Sequence, residues 1–394
     1  MLRCSKLAAP LLRGASGVKG LIPMAETLPG LDELIRLRQR WARLLSGGLP
    51  VAAEEEASIR LTEVRGFGSN PGNLRMFAYV PSGLPPGAPL VVALHGCTQT
   101  AAGYDHGCGW SEMADRLGFA LLLPEQERRN NAYRCFNWFS PRDTRRNAGE
   151  AFSIRQMVAW MLEKHGLDAG RVFISGLSAG GGMTSVMLAT YPEVFAAGAI
   201  LAGLPYGAAD NASEALEVMR QAPQRSARDW GEAVRAASAH AGPWPRVSVW
   251  QGEADSTVQP GNAEAVLQQW LDLHGLALEA PDQVERSDGL VLRRWLGEDG
   301  RVLVESHSIA GMEHGVPLHA GSGAGQIGVA GPHLLDVGIS STHGILRFWG
   351  LGTDRADMPR QFRVNSQGEA QEVTPRRFDP GRLLDKALRF ARLR

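Results

Sequence analysis

An excess of charge of either sign is missing from this chain: its 41 Lys and Arg side chains are matched by 41 Asp and Glu. That balance removes the electrostatic reason to expect nucleic acid or an anionic membrane surface as a partner. Also missing is any apolar run of about 18 residues or more, the length that reads as a membrane-spanning helix, so no membrane span is expected. Cysteine is scarce. Cys4, Cys97, Cys108 and Cys135 are too few for a disulfide scaffold and show no metal-ligand spacing. They leave two arrangements open, one bridge among the last three in an oxidising compartment, or free thiols. A phosphate loop, a dinucleotide fingerprint and a cluster of metal ligands are likewise absent, so neither a cofactor nor a metal is expected.

What is present begins with a hydrophobic content of 44%, enough for a full-sized core in 394 residues. The N-terminal stretch "MLRCSKLAAPLLRGASGVKGLIP" is basic, but no continuous apolar segment leads to a small-residue cleavage site. It is a poor secretory signal, and the balance leans to the cytoplasm. From Leu31 to Leu45 apolar positions recur at helical spacing between arginines, which predicts an amphipathic helix. The sequence therefore divides into an extension over residues 1–55 carrying that helix, a body over 56–352, and a polar, basic tail over 353–394. A last helix is expected in the tail from Pro380 onward.

The body alternates short apolar strands with helices. "RMFAYVP", "PLVVALHG", "FALLLPEQ", "RVFISG", "FAAGAILAGL", "RVSVWQGEAD", "LVLRRWLG" and "VLVESHSIAG" read as strands. "GWSEMADRLG", "EAFSIRQMVAWMLEKHG", "GGMTSVMLATYP" and "GNAEAVLQQWLDLHG" read as helices between them. Continuous apolar strands of this kind predict an α/β fold with a mostly parallel central sheet and helices on both faces.

One junction in this pattern carries chemistry. "GLSAG", Gly176–Gly180, has the G-x-S-x-G form, with a strand before it and a helix after it. In such an elbow the serine hydroxyl projects from a strained turn above the carboxyl edge of the sheet, and a side chain at either outer glycine would collide with its neighbours. Ser178 is the candidate nucleophile. It needs an acid and a base, in the chain order serine, carboxylate, histidine. Asp255 follows a predicted strand directly, whereas Asp272 lies inside a helix and Asp210 in a polar insert. Of the later histidines, His314 occupies a Gly-flanked loop just past the strand "VLVESHSI". His307 falls within that strand, His274 closes a helix, His343 opens one, and His319 and His333 share a Gly-rich loop region. Ser178, Asp255 and His314 are the expected triad. Backbone N–H groups of Ala179, next after the nucleophile, and Cys97, after the "VVALHG" strand, are the expected oxyanion donors.

Taken together, "LHGCTQTAAGYD", "GFALLLPEQ", "CFNWF", the elbow helix, "WQGEADSTV", "GMEHGVPL" and "DVGISSTHGILRFWGL" resemble the poly(3-hydroxybutyrate) depolymerase-type esterases of the α/β-hydrolase superfamily, over about Leu90 to Leu351. The resemblance implies an α/β-hydrolase fold and a serine carboxylic-ester hydrolase acting through an acyl-enzyme, with those same five residues in those roles. Trp138 in "CFNWF" would line the substrate cleft, or serve as a core or lid tryptophan. Many members are extracellular, and in exported ones Cys97 and Cys135 would bridge. Hydroxyalkanoate polymer or oligomers are the implied substrates, with feruloyl and acetylated xylan esters the alternative. No polymer-binding domain is expected in the short tail, which favours soluble oligomers or amorphous polymer.

Overall fold

The computed structural model describes residues 60–352 apart from residue 288, together with the strands Phe362–Val364 and Ala370–Glu372. The expected helices over Leu31–Leu45 and from Pro380 lie outside the described residues.

Apolar runs that cannot face water on either side become central strands. All five residues of Leu90–Leu94, all six of Ala120–Glu125, all six of Val172–Leu177 and all five of Ala197–Leu201 are buried. In chain order the strands are β1 (Thr62–Val64), β2 (Arg75–Tyr79), β3 (Leu90–Leu94), β4 (Ala120–Glu125), β5 (Val172–Leu177), β6 (Ala197–Leu201), β7 (Arg246–Gly252), β8 (Gln283–Ser287), β9 (Leu290–Leu296) and β10 (Val302–Ile309). They form one ten-stranded sheet in the order β1-β2-β4-β3-β5-β6-β7-β10-β9-β8. From β4 through β10 every neighbour is parallel, and antiparallel strands finish both edges.

The helices are α1 (Ala101–Cys108), α2 (Trp110–Leu117), α3 (Pro141–Thr144), α4 (Gly149–His165), α5 (Ala179–Thr190), α6 (Ala212–Arg220), α7 (Ala227–Arg235), α8 (Gly261–Leu273) and α9 (Ser341–Trp349). Residues of α1, α2 and α9 share one apolar cluster with alternate residues of the central strands. There Trp349 stacks between Trp110 and Phe173, with ring centroids 6.0 and 5.2 Å away. On the other face α5 packs against β5 and β6 with every residue buried, which is why its sequence has no polar stripe.

Two further strands, β11 (Val316–Leu318) and β12 (Leu334–Asp336), pair in parallel beyond the sheet. The Phe362–Val364 and Ala370–Glu372 strands pair antiparallel within the tail, an element its polar composition did not predict. The polar insert after β6 holds α6 and α7, capped by the side chains of Asn211 and Ser226. Because the six parallel strands run one way, β3, β5, β7 and β10 all deliver their following loops to one edge.

Candidate active site

Ser178 sits at that edge with φ 56° and ψ −116°, a left-handed conformation that costs a residue bearing a Cβ about 1–3 kcal/mol. The turn is imposed by its neighbours. Ser178 N–H donates to Leu201 O at the end of β6 (2.9 Å), and Gly182 N–H donates to Ser178 O (2.8 Å). A Cβ on Gly176 would stand 2.3 Å from Gly180 O, and one on Gly180 would stand 2.4 Å from Leu94 O. Glycine at both places lets β3, β5 and α5 close on the serine.

From the elbow, backbone hydrogen bonds step along the same edge. Ala202 N–H donates to Trp250 O of β7, Glu253 N–H to Ile309 O of β10, and Ala254 N–H to Met312 O. Gly252 has no room for a side chain, since a Cβ there would lie 2.3 Å from Met312 O. These contacts seat the loop after β10 on the loop after β7, and they bring His314 to Asp255. His314 Nδ1–H donates to Asp255 Oδ2 at 2.7 Å, with both side chains buried. Asp255 Oδ1 accepts from Thr257 N–H (2.9 Å) and Val258 N–H (2.8 Å), and Oδ2 also accepts from Gln251 Nε2 (3.1 Å). Four N–H donors around one carboxyl suit an ionised acceptor. With Nδ1 holding the proton toward Asp255, Nε2 of His314 is left with its lone pair, the state a general base needs. Among the described residues no hydrogen bond joins Ser178 Oγ to His314. Catalytic hydrogen bonds are often long or misaligned before substrate is bound, and tighten in the Michaelis complex.

One expected oxyanion donor lies on the elbow itself and the other on the loop after the neighbouring strand β3. Ala179 opens α5, where a helix leaves its first N–H groups without intrahelical partners and favours negative charge. Cys97 lies on the loop after β3, and that loop is heavily braced. Cys97 is disulfide-bonded to Cys135, and Thr98 N–H donates to Tyr133 O at 2.6 Å. Of the two arrangements left open by the cysteine content, the structure thus adopts the bridge. Cys108 is a free, buried thiol whose pKa burial pushes well up.

Below the loop, His95 Nδ1–H donates to Gly96 O (2.7 Å), while Nε2 accepts from Gln126 N–H (3.1 Å). Complete burial lowers its pKa, so this imidazole is a neutral strut. Gln126 Nε2 then donates to Cys135 O and to Glu150. Glu150 also accepts from the backbone and side chain of Asn137, whereas burial, with the charge of Asp143, pushes its pKa up to about 8. His95, Gln126 and Glu150 are residues that sequence reasoning missed. A histidine before a glycine and a glutamate at a helix start carry no signal that they will meet in a buried network.

Trp138, on the segment held by Glu150, is buried against α5: a Cβ on Gly182 would lie 2.7 Å from its Cγ. The other candidates are engaged elsewhere. Asp272 pairs with Arg235 (2.8 Å), and His307 bonds Glu305 (3.0 Å) while stacking on Trp250. His274 caps α8 against Pro245 O, His319 meets Gln326, and His343 sits in the first turn of α9 with Ser340. Asp210 bonds its own helix start through Glu214. His333 lies next to the site, its Nδ1 3.1 Å from His314 O. Among the described residues no group of three His, Cys, Asp or Glu side chains could hold a metal ion, and no helix is long and apolar enough to cross a membrane. A polar cleft of 660 Å³ beside β1 and β2 includes none of the site residues.

The sequence pattern of the family described as "Esterase PHB depolymerase" matches residues 76–286. Poly(3-hydroxyalkanoate) depolymerase C of Paucimonas lemoignei is 43% identical over 313 residues, covering 79% of this chain and 75% of that protein. Feruloyl esterase B of Thermothelomyces thermophilus is 36% identical over 238 residues, 59% of this chain and 81% of that protein. Among solved structures, the acetyl xylan esterase from Aspergillus awamori superimposes with a TM-score of 0.63 at 26% identity, covering 74% of this chain and 99% of that one. The mostly parallel sheet with helices on both faces is therefore an α/β-hydrolase fold.

Proposed function

Because this chain belongs to the esterase PHB depolymerase family, and is accordingly a carboxylic ester hydrolase, we propose that it cleaves short-chain hydroxyalkanoate esters through Ser178, His314 and Asp255. The observation that carries the reading is the 2.7 Å His314–Asp255 bond, on the same sheet edge as the strained Ser178 turn.

In this reading His314 Nε2 takes the Ser178 proton as Oγ attacks the ester carbonyl carbon. The carbonyl oxygen becomes an oxyanion that accepts from Ala179 N–H and Cys97 N–H, each donor worth about 3–4 kcal/mol in the transition state. Collapse breaks the bond to the alkoxy oxygen, which leaves with the proton carried by His314. Water then enters, gives a proton to His314 and its oxygen to the acyl carbon; the bond from that carbon to Oγ breaks, Oγ takes the proton back from His314, and the carboxylic acid leaves. Asp255 holds the imidazole in one tautomer and balances the imidazolium throughout. Trp138 is assigned to the wall of the acyl site on the strength of its contact with the first turn of α5.

Substrate preference rests on the higher identity to the hydroxyalkanoate depolymerase than to the feruloyl esterase. Comparing kcat/KM on 3-hydroxybutyrate oligomers, amorphous polymer, methyl ferulate and acetylated xylan tests it. Oligomers are expected to be the best substrates. A higher kcat/KM on ferulate or acetylated xylan would move the assignment to the second reading, which the similarity to an acetyl xylan esterase structure favours. The Cys97–Cys135 bridge supports an oxidising compartment rather than the cytoplasm toward which the N-terminal sequence leans.

A further inference from the structure

Gln251, in β7 four residues before Asp255, has a buried side chain whose two ends are treated very differently. Its Nε2 lies 3.1 Å from Asp255 Oδ2, 3.1 Å from Val258 O and 3.2 Å from Gly252 O. Three acceptors around one atom identify it as the amide nitrogen, since an oxygen there would meet only lone pairs. The two carbonyls stand at the entry and exit of the loop that carries Asp255, so one amide group ties the loop shut around the acid. Its other end, Oε1, is buried with no hydrogen-bond partner among the described residues. Such an acceptor is destabilising, so it is the amide nitrogen that accounts for a glutamine here. That nitrogen serves both the loop, through the two carbonyls, and the carboxylate of Asp255.

Asp255 Oδ2 is shared between His314 Nδ1–H at 2.7 Å and Gln251 Nε2–H at 3.1 Å. From this sharing we infer that Gln251 is a positioning residue that sets the basicity of His314. It aims the carboxylate, and it draws off part of the negative charge that would otherwise stabilise the imidazolium. The inference rests on the reading of His314 as the base and Asp255 as its partner. Among the described residues, His333, before β12, also faces His314, its ring edge-on with centroids 5.6 Å apart. Burial lowers the pKa of His333, which favours its neutral form. The hydrogen bonds of Gln251 go to Gly252, Asp255 and Val258, so it acts on the chemistry through the pair.

The test is kcat/KM of a soluble ester against pH for wild type, Gln251→Met and Gln251→Glu, with melting recorded alongside. Removing the donor is expected to raise the midpoint of the acid limb by about half a pH unit, because a hydrogen bond that competed for the carboxylate is gone. A glutamate at 251 faces the Asp255 carboxylate and two carbonyl oxygens, so it holds a proton, donates in the amide's place and keeps the midpoint nearer that of wild type. In Gln251→Met kcat changes and KM does not. The methionine variant melts lower than wild type, because the Gly252 and Val258 carbonyls lose the donor that ties the loop, and its profile is read well below that melting temperature. An unmoved midpoint in folded Gln251→Met overturns the inference, as does failure of both variants to fold, which would make the residue structural. His314→Ala separates the two levels: substantial activity there defeats the base assignment itself, whereas an inactive His314→Ala beside an unmoved Gln251→Met defeats only the role of Gln251.

Discussion

Replacing Ser178 with alanine is expected to lower turnover of a soluble ester by about a million-fold while leaving the protein folded. The size follows from removing the atom that forms the acyl-enzyme: water in its place lacks the fixed geometry that converts a bimolecular attack into a unimolecular one. Folding is expected to survive because the hydroxyl makes no hydrogen bond within the described residues, so its loss leaves no partner unpaired. The Cβ that suffers the φ 56° turn is the same in both side chains. Turnover and melting temperature measured on one preparation check both halves. Activity within a hundred-fold of wild type would remove Ser178 from the chemistry.

Asp255→Asn should lower kcat by about ten thousand-fold, and the reason is hydrogen-bond polarity rather than shape. The amide oxygen of an asparagine can still accept from Thr257 and Val258 N–H, which the aspartate satisfies at 2.9 and 2.8 Å. That orientation turns the new NH₂ toward His314 Nδ1 and Gln251 Nε2, both donors in the native arrangement. The cheapest relief is for His314 to shift its proton to Nε2. The ring then offers the serine an N–H where a lone pair is required. A kcat within tenfold of wild type in this variant would show that Asp255 does not govern the tautomer.

Much of this arrangement was legible before any coordinates, and the reason is physical. A strand buried on both faces must be written in continuous apolar residues, so Leu90–Leu94, Ala120–Glu125 and Val172–Leu177 declared themselves. The elbow declared itself because Gly176 and Gly180 are demanded by approaches of 2.3–2.4 Å that no other residue tolerates. Asp255 and His314 were singled out by their places just past two strands, and the structure brings their side chains together. Strand β8, "QVERS", was not legible: all five of its residues are exposed, and pairing with β9 alone makes it a strand. Helices α6 and α7 were hidden in an insert read as polar, although Asn211 and Ser226 cap them. Which cysteines join depends on the loops after β3 and before α3 meeting in space, and residue content alone left both a bridge and free thiols open. The supports of the site, Gln251, His95, Gln126 and Glu150, form no local pattern because their partners are far apart in the chain or lie on backbone atoms.

The central claim is that one serine among the many in this chain is made nucleophilic by the pair His314–Asp255. The most direct measurement is reaction with a fluorophosphonate, followed by mass spectrometry of the intact protein and its peptides. The account predicts one adduct per chain, on the peptide carrying Ser178, formed quickly in wild type, slowly in Asp255→Asn and not at all in Ser178→Ala. An adduct on a different serine, or labelling of Ser178 at the same rate in Asp255→Asn, would contradict it.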